Sequence, residues 1–122
     1  PIPPMQLGFH SNCGFKGGHT INQDRGVVTY PYAEDDSRVL LAVYDGHGSN
    51  GHKIAEVVAN RFAELMEEFA PKQMLATYDS DSDAAIRSVL VRSLVTVDDW
   101  LAREHTAIVR SSGTTAITCM LG

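Results

Sequence analysis

A chain of 122 residues with 43% hydrophobic content and a net charge of −5 has room for one domain, and its acidic balance excludes sequence-independent nucleic-acid binding, which needs a cationic surface. No apolar run approaches the roughly 20 residues of a membrane span, and no basic-then-apolar start marks a secretory leader, so an intracellular protein, cytoplasmic or nuclear, with no membrane partner is expected. The two cysteines, Cys13 and Cys119, lack Cys-x-x-Cys spacing and read as free buried thiols in a reducing compartment, although one disulfide between them is compatible with the sequence.

Residues 5 to 15 alternate weakly. Leu7, Phe9, Cys13 and Phe15 are broken by Gly8 and Gly14, predicting a first strand that runs into a loop at Gly17-Gly18. Asn22-Gln23-Asp24 then leads into a β-rich run, Gly26 to Tyr30. A polar turn from Ala33 to Ser37 returns the chain as an antiparallel hairpin into Val39 to Tyr44. Residues 39 to 43 are continuously apolar and too short for a helix, which predicts a strand buried on both faces. The run ends in Asp45-Gly46-His47-Gly48. A carboxylate at a strand end, glycines that let the backbone turn tightly, and an imidazole suited to proton transfer near neutrality form a candidate site.

An amphipathic helix follows, with Ile54, Val57, Val58, Phe62, Leu65, Met66 and Phe69 on one face and Pro71 ending it. Residues 77 to 83 are predicted as a polar loop whose last residues cap a second helix over about 84 to 104. Its stripe is Ile86, Val89, Leu90, Leu94, Val97 and Leu101, with Trp100 as core. Ser111-Ser112-Gly113 turns into a closing strand, Thr114 to Leu121. No repeat or linker divides residues 1 to 122. The start at Pro1, and the stop directly after an apolar strand that needs partners, lead us to expect a piece cut from a larger fold.

Gly46-His47-Gly48-Ser49-Asn50-Gly51 matches the G-x-G-x-x-G dinucleotide fingerprint after a strand and before a helix. Two features oppose that reading. The Asp45 charge would repel a pyrophosphate, and a second helix stands where a βαβ unit needs a strand. A carboxylate here is better suited to a hard cation, since Mg²⁺ and Mn²⁺ favour oxygen ligands and keep several waters. Asp45, the Gly46 carbonyl and Asp24 are the candidate ligands. His10, His52 and His105 have no motif around them and read as structural histidines.

The ordered segments Asn22-Gln23-Asp24, Val43-Tyr44-Asp45-Gly46-His47-Gly48 and Ser112-Gly113-Thr114-Thr115-Ala116 resemble the amino-terminal part of the metal-dependent type 2C serine/threonine protein phosphatases, from about Gly8 to Gly122. The resemblance implies part of a four-layer α-β-β-α sandwich with antiparallel sheets, two Mg²⁺ or Mn²⁺ ions, and a phosphoprotein substrate. It implies Asp45 as the bridging metal ligand, Gly46 as a carbonyl ligand and Asp24 as an acid on metal or metal-bound water. His47 matches the general acid that protonates the departing serine or threonine oxygen, and Thr115 a threonine in the metal–water network. Three departures stand out. Gln23 replaces the glutamate that many members carry, which moves it behind the ligands. The basic phosphate-gripping position falls on His19, leaving His19 or Lys16 for that role. The later aspartate motifs of the family are absent, so an incomplete site with little activity is expected of these residues alone. The rival of another class is a catalytically dead, phosphatase-like protein-binding module.

Overall fold

The computed structural model describes residues 6–14, 20–70 and 80–122, with 80–82 described by backbone alone. Its elements are β1 (Asp24–Thr29), β2 (Val39–Gly48), α1 (Gly51–Phe69), α2 (Ser80–Glu104), α3 (Thr106–Val109), β3 (Ser112–Thr114) and β4 (Ile117–Leu121). Among the described residues all strand pairings are antiparallel. β1 lies on one edge of β2, and β3 and β4 follow each other along the opposite edge. The fold class is therefore α+β, with an antiparallel sheet, as the sequence predicts.

The hairpin forms as expected, but its turn is made from unusual residues. Ala33 and Glu34 both adopt left-handed backbone angles, at φ 51° and 63°, and the Asp35 N–H donates to the Tyr32 carbonyl at 3.0 Å. Two left-handed central residues match the twist of paired strands, a role usually given to Asn-Gly. Asp35 braces the turn by accepting from the Ser37 hydroxyl at 2.6 Å and the Ser37 N–H at 2.8 Å. Arg38 adds an ion pair to Asp35 at 3.2 Å. The Ser37 hydroxyl, its N–H and Arg38 together hold the Asp35 carboxyl below the usual carboxylate range.

α1 covers one face of the sheet because its apolar positions recur at helical spacing. Ile54, Val58, Phe62, Leu65 and Met66 are buried, together with Ala55 and Ala59. They meet Leu40, Ala42 and Tyr44, alternate residues of β2 that share a face. The Phe62 ring stands edge-on to Tyr44 at 6.5 Å, and burial of each such side chain contributes about 2 kcal/mol. Tyr32 closes the far end, its buried hydroxyl donating to the Met66 carbonyl at 2.7 Å. α1 stops at Phe69. Ala70 takes extended angles, as the residue before a proline must.

α2 packs on α1 through the predicted stripe, with Val97 and Leu101 buried and Val89, Leu90, Leu94 and Trp100 partly buried. One stripe member escaped the sequence reading: Ser93 is fully buried. α2 begins at Ser80, earlier than the expected residue 84, so the last residues of the predicted loop are helical; 77–79 lie outside the described residues. Negative charge is favourable in a helix's first turn, so a polar, acidic segment there does not oppose helix.

Further expectations are corrected. Residues 6–14 form no strand and are largely exposed, including Leu7 and Phe9. Their alternation is short and glycine-broken, and β1 instead starts at Asp24. Phe9 nevertheless has a seat: its ring lies over the backbone of Gly26, where any β-carbon would collide with it. The closing strand is divided into β3 and β4, with Thr115 and Ala116 between them and the unpredicted α3 ahead of them. Both cysteines are free, but neither is buried: Cys13 is half-buried and Cys119 exposed. Cys119 stands opposite Leu41, on the sheet face away from the helices, where Val28, Val43 and Ile117 also remain exposed. The strand expected to be buried on both faces is therefore covered by α1 on one face and left open at Val43 on the other.

Candidate metal and phosphate site

The candidate site forms where β1 begins and β2 ends. β2 does not stop at Asp45; it continues through Gly48 by changing partners, pairing with β1 and β4 up to that point and with β3 from Gly46 to Gly48. Asp24 and Asp45 face each other directly across the β1–β2 ladder. The Gly46 N–H donates to the Gln23 carbonyl at 3.2 Å, making 23 and 46 the hydrogen-bonded pair. Asp24 and Asp45 are thus the adjacent non-bonded pair, the closer kind, with α-carbons about 4.5 Å apart and side chains on one face. Both are exposed. Neither carboxylate has a hydrogen-bond or ion-pair partner among the described residues.

These two carboxylates and the Gly46 backbone line one cleft of about 460 Å³, closed on its other side by Cys13, Thr20 and Asn22. Among the described residues no cluster of three or more His, Cys, Asp or Glu could hold a metal ion by itself. Two like charges held opposite each other without a counter-ion are unfavourable. A hard cation that takes one or two carboxylates and retains its waters fits such a pair, and an all-protein cage does not.

Thr115 explains the gap between β3 and β4. Gly46 faces Thr114 and Val43 faces Ile117, which leaves Asp45 opposite Thr115 in an unbroken register. The Thr115 N–H donates to the Asp45 carbonyl at 2.9 Å. The return bond is intercepted: the Asp45 N–H donates at 3.2 Å to the Thr115 hydroxyl. The Thr115 carbonyl accepts instead from the Thr114 hydroxyl at 3.0 Å. Threonine therefore grips the backbone of the candidate ligand directly.

His47 is exposed on β2 and stands opposite Gly113. A β-carbon at Gly113 would lie 2.8 Å from His47 Nε2 and 2.9 Å from Cε1, so the ring rests on bare glycine backbone. It lines a second cavity of about 410 Å³ with Leu94, Asp98 and Ser112, separate from the one the carboxylates share. Lys16 and His19, the candidates for gripping phosphate, lie outside the described residues. Arg25 does not replace them: it donates to the Asn22 and Asp24 carbonyls at 3.1 and 2.8 Å and pairs with Glu56 at 3.4 Å. Nor does the neighbouring Tyr44 supply an ionised group. Burial pushes its hydroxyl up to about 12.

The glycine fingerprint has a packing origin. A β-carbon at Gly46 would lie 2.5 Å from the Gly51 carbonyl oxygen and 2.6 Å from that of Gln23, and one at Gly51 would lie 2.9 Å from Gln23 Oε1. Gly48 needs its positive φ of 83°. The spacing thus lets three backbones converge, and with every strand pair among the described residues antiparallel, these offer no βαβ unit for a dinucleotide. Sequence reasoning missed Gly51, Ser112 and Gly113 as site builders. Ser112 ties the start of α1 to β3, its hydroxyl accepting from the Asn50 N–H at 2.9 Å. The signal for Ser112 and Gly113 lay in Ser112-Gly113-Thr114-Thr115, of which only Thr115 was assigned a role.

The fold is antiparallel α+β, with paired carboxylates at the start of one strand and the end of its neighbour. The comparisons with known proteins identify the family. "Probable protein phosphatase 2C 64" of Oryza sativa subsp. japonica is 33% identical over 108 residues, covering 86% of this chain and 24% of that protein. "Probable protein phosphatase 2C 72" of Arabidopsis thaliana is 37% identical over 65 residues, covering 53% and 19%. "Probable protein phosphatase 2C 41" of Arabidopsis thaliana is 28% identical over 119 residues, covering 93% and 33%. No protein-family model matches the chain. The chain belongs to the protein phosphatase 2C family, and it spans between about a fifth and a third of the length of these relatives.

Proposed function

We propose that the protein is a metal-dependent serine/threonine phosphatase that hydrolyses phosphoserine and phosphothreonine on proteins, with residues 1–122 forming the amino-terminal part of its catalytic domain. The observation that carries this reading is the juxtaposition of Asp24 and Asp45 across β1 and β2. The exposed apolar face of the sheet supports the domain assignment, because Val28, Val43 and Ile117 would be covered by a second sheet in a sandwich.

Asp45, the Gly46 carbonyl and Asp24 would hold Mg²⁺ or Mn²⁺, two ions in the complete enzyme, with the relatives' later segments supplying further ligands. When bound, such ions supply an acidified water and neutralise charge developing on the phosphoryl oxygens. Thr115 fixes Asp45 through both of its backbone bonds. His47, seated on Gly113, donates a proton from its imidazole to the departing alkoxide, whose basicity makes it a poor leaving group unaided. His19 or Lys16 grips the phosphate.

The test is phosphate release from a phosphoserine peptide by the full-length protein with Mn²⁺. Turnover abolished by Asp45→Asn is expected, together with loss of the Mn²⁺-induced rise in melting temperature. A full-length protein that neither binds Mn²⁺ nor releases phosphate would overturn the proposal in favour of a phosphatase-like protein-binding module, the reading that Gln23 and the lack of an arginine ahead of Asp24 keep alive.

A further inference from the structure

We infer that Gln23 is a positioning residue for His47, acting through the Gly48 carbonyl; the inference rests on the reading of His47 as proton donor. The Gln23 side-chain amide Nε2 donates to that carbonyl at 2.7 Å, while the Gln23 main-chain carbonyl accepts from the Gly46 N–H at 3.2 Å. One residue therefore holds the backbone on both sides of His47. The grip is built in: Gly51 is bare where its β-carbon would come within 2.9 Å of Gln23 Oε1, so the helix start leaves room for the amide.

This contact needs a donor, which the Gln23 amide supplies. A carbonyl oxygen requires a donor, and Gln offers an NH₂ group where an ionised glutamate offers only acceptors. Glutamate at this position would face the Gly48 carbonyl with like partial charge and release it. Gln23 is thus committed to the strand end, and its side chain acts on the proton donor rather than on a metal.

Two variants of the full-length protein test this. Gln23→Met keeps the length and removes the donor, and Gln23→Glu replaces the donor with an acceptor. In the metal-free protein, amide exchange at His47 and Gly48 is expected to rise about tenfold, the value of one hydrogen bond, with shifted ring signals for His47. In the Mn²⁺-loaded protein, turnover of a phosphoserine peptide is expected to fall about tenfold relative to turnover of p-nitrophenyl phosphate, whose leaving group needs no proton. The Mn²⁺ dissociation constant should not move. Unchanged exchange and ring signals overturn the inference, as does equal loss on both substrates accompanied by altered Mn²⁺ affinity. Should Gln23→Glu fail to fold, Gln23→Met carries the same expectations. If His47→Ala itself lowers both substrates equally, the proton-donor reading has failed, and the exchange and ring signals alone decide whether Gln23 holds the strand.

Discussion

Gly113→Ala tests the seat of His47 with a single methyl group. The new β-carbon would lie 2.8 Å from Nε2, about 0.6 Å inside the 3.4 Å at which ordinary contact begins. The obstacle is the far end of a side chain, so the ring moves and the strand does not. Gly113 has no positive φ, so alanine costs the backbone little and the melting temperature should change by no more than about 2 °C. A misplacement of 1 Å can cost about a hundredfold in rate, so a shift of roughly 0.6 Å is worth about tenfold. In the full-length protein the loss should fall on kcat for a phosphoserine peptide and spare p-nitrophenyl phosphate. In a His47→Ala background Gly113→Ala should add nothing, because the two act through the same group. An equal loss on both substrates, or a full additional loss without the imidazole, would refute the reasoning.

Other expectations follow from the same geometry. Asp24→Asn relieves a directly opposed like-charge pair, so it should stabilise the metal-free protein by about 0.5 kcal/mol in urea unfolding while weakening Mn²⁺ binding measured by calorimetry. Glu34→Gly removes the cost of a left-handed non-glycine residue at φ 63° and should add about 1 kcal/mol of stability. Tyr32→Phe removes one of two donors from the Met66 carbonyl, which keeps the Ala70 N–H at 3.1 Å, and should cost about 1 kcal/mol by the same measurement. The Asp35 carboxyl is held low chiefly by the Ser37 hydroxyl. The stability it adds is complete above the unfolded carboxyl's value of about 4 and is lost as pH falls through the lower folded value. Asp35→Asn should flatten that acid limb in a pH series of melting temperatures.

Periodicity and order along the chain determined a good deal. The apolar face from Ile54 to Phe69, the strand at Val39 to Tyr44 (though not its expected burial on both faces) and the stripe ending at Leu101 were legible because helices and strands repeat at fixed intervals. The motifs at Asp24, Asp45 and Thr115 were legible because their order is specific to a family. Weak alternation at Leu7 and Phe9 misled, since no partner strand is there to use it. What only the tertiary structure decided lies in contacts between segments far apart in the chain. It set Asp24 opposite Asp45, aimed the Thr115 hydroxyl at the Asp45 N–H across 70 residues, and showed that Gly46, Gly51 and Gly113 are bare because another backbone, the Gln23 side chain or a ring occupies the space. A sequence records that a residue is glycine or glutamine. Which neighbour requires it depends on packing, and packing is settled only when the strands have found their register.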